Sequence, residues 1–285
     1  MRFSKGQRVI HPGRPDWGLG QVLEDSASSS VRVFFVGAGK RQLSLDHVSL
    51  LLVQGNEAAH PVLDNLKPIP SDEGVHYLSL PHAIERFVEL YPEGFYGDKY
   101  LSQERNYKVK AHELALNLIG EDTLSSLCQT GQFGEVSRLA QRVVNATNLI
   151  FPNEKMSLKD GLIDTEPQEA FSNALRKLLY SSEPFENRFN DFARVLGNIG
   201  AAKWTTATYF PFLVHPKEYM FVKPTVTQKA AQLSAFEINY RPELNWITYK
   251  CVLNYSVYLR GALTELKPRD MIDVQSFMWC IAPEI

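Results

Sequence analysis

The residues of this chain that could do chemistry fall in three places. One is the run Pro268-Arg269-Asp270-Met271-Ile272-Asp273-Val274-Gln275-Ser276-Phe277-Met278-Trp279. Ionised carboxylates set among Met, Ile, Val, Phe and Trp need either partners or a task. Asp270 and Asp273 stand three apart and share a face if the run is helical. Such a pair can orient a water or steady a developing positive charge. In a first turn it equally serves to complement the helix dipole. Gln275 carries a donor and an acceptor on one planar amide, which suits the edge of a heterocycle, and Trp279 supplies a flat apolar surface nearby.

The second place is the glycine turn Gly197-Asn198-Ile199-Gly200, which joins an apolar helix to another that starts at once. Glycine allows a tight turn, including positive φ. The free N–H groups of such a turn and of the next helix form a ready anion site; an ordinary helix–helix turn has the same sequence signature. Lys203 and Trp204 follow the turn. Lys223 sits in the irregular stretch 215–224, and Thr225 opens a third helix. Two lysines around a helix N-terminus suit a phosphodiester backbone. A lysine with a depressed pKa can also attack a sugar C1′. Trp204 fits either stacking on a base or packing in a core.

This order of elements, from Glu183 to Ala231, resembles the helix-hairpin-helix DNA glycosylases. In that family a Gly-hydrophobic-Gly hairpin grips a DNA phosphate. A later loop reads hydrophobic-Pro-hydrophobic-Asp, and its catalytic Asp opens the next helix. Here Lys223 stands where the family has its aspartate, and Lys203 is offset by one residue from the lysine that forms a Schiff base in bifunctional members. The resemblance implies double-stranded DNA as partner, contacted by Gly197, Gly200, Lys203, Lys223 and Thr225. It implies a flipped nucleotide read by Trp204, Gln275 and Trp279, and cleavage of the N-glycosidic bond of a damaged or modified base. Asp270 or Asp273 would replace the missing aspartate, with Lys203 as the amine and no cofactor. Removal of modified bases from phage DNA is one setting for such an enzyme.

The third place is Glu104-Arg105-Asn106-Tyr107-Lys108-Val109-Lys110-Ala111-His112. Arg105 and His112 resemble the Arg-x(4–6)-His motif of HEPN ribonucleases, which implies phosphate binding by the arginine and acid–base work by the histidine. The same residues also read as a basic stripe of Lys108, Lys110 and His112, solvated or facing DNA.

The elements that must position these groups follow two grammars. Residues 1–54 read as short strands between Gly-rich turns: Gln7–His11, Gln21–Glu24, Val31–Phe35 and Gln42–Leu45, with a loop at Gly13–Gly20 and a polar turn at 26–30. The pattern G-x-x-V-x-H-P … D-W-G-x-G-x-V … V-x-V-x-F resembles a small SH3/Tudor-like barrel of the kind appended to bacterial helicases and polymerase-binding factors. That resemblance implies a protein or DNA partner. Trp17 would lie at its loops, either docking a partner or plugging the barrel mouth. Residues 55–79, with several Pro and Gly, read as a linker. From residue 80 to 285 the spacing is helical, with helical spacing at Ala83-Ile84-Phe87-Val88-Leu90 and helices expected from near Asp98 to Gly120, over 122–130, through Val136–Leu149, from Thr165 to Leu179, from Ser182 to Gly197, up to Leu213, from Thr225, over Trp246–Leu266 and over Arg269–Cys280. Lys155–Ile163 reads as a polar loop. The fold class is α+β: a small β-barrel, then a mostly helical domain with a helix-hairpin-helix-like element.

Composition bounds the rest. The 285 residues carry 44% hydrophobic side chains and a formal net charge of −2, so any nucleic-acid contact must come from a local basic patch. Three dispersed cysteines argue against a disulfide framework or a cysteine-built zinc site, and no metal is expected. Polar sequence follows Met1, and no apolar run approaches the ~20 residues that span a bilayer. A reduced, cytoplasmic protein with no membrane partner is expected. Two further readings stay open beside the glycosylase: a non-catalytic adaptor of a helicase or polymerase complex, and the HEPN-like ribonuclease.

Overall fold

A computed structural model of the chain describes residues 2–27, 29–67, 69–71, 74–76 and 80–282. Residue 28 of the expected turn, residues 68, 72–73 and 77–79 of the expected linker, and 283–285 at the end of the expected helical domain lie outside this description. The chain divides into two compact units. One holds Met1–Pro92, Gln228–Ile238 and Cys280–Ile285; the other holds Glu93–Thr227 and Asn239–Trp279.

In the first unit five short strands form an antiparallel sheet: β1 (Arg8–Ile10), β2 (Leu19–Val22), β3 (Ser30–Phe35), β4 (Gly39–Ser44) and β5 (Leu51–Val53), in the order β4-β3-β2-β1-β5. Alternation selects the inner face. Val31, Val33 and Phe35 of β3 pack with Phe3, Val9, Val22 and Leu50 into one small core. Gly20 faces that core because nothing larger fits: a Cβ there would lie 2.7 Å from the side chains of Phe35 and Val33. Trp17 packs against the core at the end of a 3₁₀ turn, its ring centroid 5.1 Å from His11 and 5.2 Å from Phe35. It therefore covers the core of this sheet. The guanidiniums of Arg14 and Arg41 lie 4.8 and 5.7 Å from its ring centroid.

Beyond β5 the chain makes a 3₁₀ turn, the short helix α1 (Pro61–Asp64) and a hairpin of β6 (Ile69–Ser71) and β7 (Gly74–His76). Val62 and Leu63 are buried, and Arg8 of the sheet pairs with Asp64 at 2.8 Å. The segment after β5 is thus held to the sheet by packing and charge. The helix α2 (Leu80–Leu90) completes this part of the chain.

The second unit is helical. Its elements are α3 (Asp98–Tyr100), a π-helical turn at Leu101–Arg105, α4 (Asn106–Ile119), α5 (Glu121–Gln129), α6 (Phe133–Val144), α7 (Pro152–Asp160), α8 (Thr165–Tyr180), α9 (Phe185–Asn198), α10 (Trp204–Val214), the start of α11 (Pro224–Leu233), α12 (Trp246–Ala262) and most of α13 (Met271–Ile281). Every residue of α10 is buried, so this helix forms the centre of the unit. Among the described residues no helix is long and apolar enough to cross a membrane.

Two boundaries differ from the sequence reading for identifiable reasons. Most of the expected polar loop Lys155–Ile163 belongs to α7. Capping starts this helix: Pro152 occupies its first turn and the Glu154 carboxylate accepts the Phe151 N–H at 3.2 Å. Its apolar signal is weak because Leu158 is the one buried residue within it. The helix expected from Arg269 begins instead at Met271, because Asp270 is its cap.

Candidate functional site

Asp270 accepts the backbone N–H of Ile272 at 3.0 Å and that of Asp273 at 3.3 Å, so its side chain closes the first turn of α13. Arg105, at the end of the π-helical turn, grips both aspartates. It makes bonds of 2.8 and 2.7 Å to the two Asp270 oxygens and one of 2.9 Å to Asp273 Oδ1. Arg269 adds its own fork to Asp273, and the Tyr100 hydroxyl donates to Asp273 Oδ1 at 2.7 Å. Asp273 is wholly buried and Asp270 nearly so. Burial would lower the Arg105 pKa, but its hydrogen bonds and charge contacts to the two aspartates outweigh that and raise it. Burial, then the charge of Asp273, raises the Tyr100 pKa. This is a saturated ionic clamp joining the 100–105 turn to α13.

The clamp sets two walls of a cleft of about 510 Å³. One wall carries Glu104, Tyr107 and Lys108; the facing wall carries Gln275 and Trp279 of α13; the loop 146–149 and Lys223 close it. Buried Lys108 crosses between the walls, donating to Ser276 Oγ at 2.8 Å and lying 3.4 Å from Glu104. Lys223 Nζ sits 4.6 Å from the Trp279 ring centroid and 4.7 Å from that of Phe151. Burial lowers its pKa, with Glu154 opposing. Lys223 is placed by the buried run before it: the Val222 N–H donates to Thr208 Oγ1 at 2.9 Å, and Tyr249 donates to the Met220 carbonyl at 3.0 Å. The loop 146–149 is pinned by the Tyr209 hydroxyl, 2.8 Å from that of Thr147. Gln275 is 3% exposed, and its Oε1 has no hydrogen-bond partner.

Gln275, Trp279 and Lys223 of the sequence-predicted residues therefore share one cleft. Trp204 lies elsewhere, buried, its ring near Phe189 and Tyr249 and its indole N–H donating to the Arg241 carbonyl at 2.9 Å. Asp270 and Asp273 stand behind the cleft wall. Glu104, Tyr107 and Lys108 were legible only as a motif fragment and a basic stripe. Lys108 corrects the stripe: it is 1% exposed, because it faces the same inner side of α4 as Ala111 and Ala115. His112 Nδ1 meets the Leu213 carbonyl, so that nitrogen carries the proton, while Arg105 is committed to the clamp.

Gly197, Gly200 and Lys203 are exposed, and Thr225 is exposed in the first turn of α11. Gly200 adopts φ +72°. Its N–H bonds to the Gly197 carbonyl at 3.2 Å and that of Ala201 to the Leu196 carbonyl at 2.8 Å. These two bonds make a Schellman cap on α9, so these amides of the turn are satisfied within the chain. Gly200→Ala is expected to destabilise by roughly 1–2 kcal/mol through its left-handed backbone, whereas Gly197→Ala, helical and with open space at Cβ, stabilises by about 0.5–1 kcal/mol. Urea melts of the two variants give the comparison.

Among the described residues no cluster of three His, Cys, Asp or Glu side chains is arranged to hold a metal. Residues 3–53 match a family described as "Protein of unknown function (DUF3553)", which covers the five-stranded sheet. No curated protein and no solved structure matches the chain, so the likeness of 183–231 to the helix-hairpin-helix glycosylases gains no support from comparison.

Proposed function

We propose that the protein acts on DNA and that its helical unit receives an extruded base in the cleft and hydrolyses its N-glycosidic bond. The observation that carries this reading is the cleft that sets the half-exposed Trp279 ring beside the Lys223 cation, with Glu104 in its lining. A pocket of base-to-nucleoside size lined by two aromatic rings, three side-chain amides and two lysines fits a planar polar ligand. Glu104 is the one carboxylate lining it. In this reading Glu104 takes a proton from water, the water oxygen bonds to C1′, and the C1′–N bond breaks. The base leaves with the bonding electron pair, steadied by the Lys223 cation, and then takes a proton from solvent. Asp270 and Asp273 act as positioning residues through Arg105.

Duplexes carrying damaged or phage-type modified bases test this. Alkali-labile abasic sites are expected, at least 100-fold fewer with Glu104→Gln or Lys223→Met. Release needs charged Lys223, so it is complete below that residue's lowered pKa and is lost as pH rises through it, earlier than for an ordinary lysine. Duplex binding without base release across the panel replaces this reading with the adaptor. RNA cleavage abolished by His112→Ala replaces it with the ribonuclease.

A further inference from the structure

We infer that the rim of the cleft binds single-stranded DNA in preference to duplex, seating two neighbouring bases on Trp279 and Phe151 with the phosphate between them at Lys223. This rests on the reading that the helical unit acts on DNA, and it names the form of DNA engaged. Trp279 lines the cleft and is 38% exposed; Phe151 lies outside the cleft lining and is 50% exposed. Lys223 joins them, its Nζ against both rings. A row of ring, cation and ring therefore runs outward from the cleft.

Each member of the row is held by its backbone. Phe151 precedes Pro152, and its carbonyl accepts the N–H groups of Glu154 and Lys155, each at 3.0 Å. The Glu154 carboxylate that accepts the Phe151 N–H also accepts the Thr205 hydroxyl at 2.8 Å, which ties this end of α7 to α10. Trp279 follows the buried Phe277 and Met278 of α13. The Lys223 carbonyl accepts the Thr227 N–H at 2.9 Å. Rings set in place before the ligand arrives lower the ordering cost of binding.

Charge selects the occupant. Buried Lys108 spends its ammonium on Ser276, and Lys155 donates to the Thr147 carbonyl at 2.6 Å. Lys223 is half-buried, yet among the described residues no oxygen lies within bonding distance of its ammonium. Its three N–H donors suit a phosphate oxygen. The rings suit bases, since every base has a flat face. Bases in a duplex are stacked on one another and offer only their edges in the grooves. An unpaired strand offers the faces and the phosphate together.

Fluorescence anisotropy with a labelled oligothymidylate of about a dozen residues, alone and paired to oligoadenylate, tests the inference. The single strand is expected to bind at least about ten-fold tighter than the duplex. Phe151→Ala should weaken strand binding about ten-fold and Phe151→Trp should retain it. Tm of Phe151→Ala should stay within about 4 °C of the parent, since half of the ring already meets water. Lys223→Met should weaken strand binding and flatten the slope of log affinity against log salt by about 0.7, the share of one phosphate. Equal or tighter binding of the duplex overturns the inference, while abasic sites in the modified duplexes decide base excision separately. Strand binding that depends on Phe151 and Lys223, without base release from any substrate, supports the inference and removes base excision. Unchanged strand affinity in Phe151→Ala or in Lys223→Met overturns it. So does displacement by polyglutamate as readily as by unlabelled strand, which marks a cationic patch alone.

Discussion

Arg105→Ala is expected to lower the stability of the helical unit by about 3–5 kcal/mol, the range for breaking a buried ion pair by removing one partner. The guanidinium meets Asp270 and Asp273 together, and Asp273 has no exposed surface. Without it, two carboxylates that share a donor face each other with Arg269 as the remaining cation on Asp273. Arg105→Lys keeps a charge but not the fork, so it should fall between. Urea unfolding followed by circular dichroism measures each. A loss below about 1 kcal/mol, typical of exposed pairs, would mean that the clamp is solvated and does not hold the cleft walls.

Trp204→Ala and Trp279→Ala are expected to separate cleanly. Trp204 is 2% exposed, stacked on Phe189 with ring centroids 6.1 Å apart, and satisfied by Arg241. Its truncation should cost about 3–5 kcal/mol, as for other buried aromatics. Trp279 is 38% exposed and lines the cleft. Its truncation should cost under about 2 kcal/mol in stability, since part of its surface already meets water. It should instead remove one of the two cation–π partners of Lys223 and the proposed stacking surface, with at least a ten-fold loss in nucleoside affinity. Chemical melts and calorimetry on the same two proteins decide it. Intact ligand affinity in Trp279→Ala would place the ligand elsewhere.

The division into a strand-rich start and a helical remainder was legible from residue order alone. Val31, Val33 and Phe35 alternate, and alternation is a local property of a half-buried strand. Gly200 closes a helix end through its left-handed backbone, again a local preference. β5 was missed because Leu51-Leu52-Val53 becomes a strand only by pairing with β1. The helix α7 was missed because its caps, not its apolar spacing, start it.

At the candidate site the sequence marked Gln275 as a polar group in an apolar run, Trp279 as a flat surface near it and Lys223 as a cation beside a helix N-terminus. It also marked Asp270 and Asp273, and here residue type was ambiguous between catalysis and capping. Tertiary structure decided which groups face the cleft. Arg105 lies 165 residues from Asp270 along the chain, and only packing of the 100–105 turn on α13 makes its charge the aspartates' partner. The same packing turns Lys108 inward and leaves Gln275 with an unanswered oxygen. Hydrogen-bond saturation depends on which surfaces meet, and local sequence does not encode that.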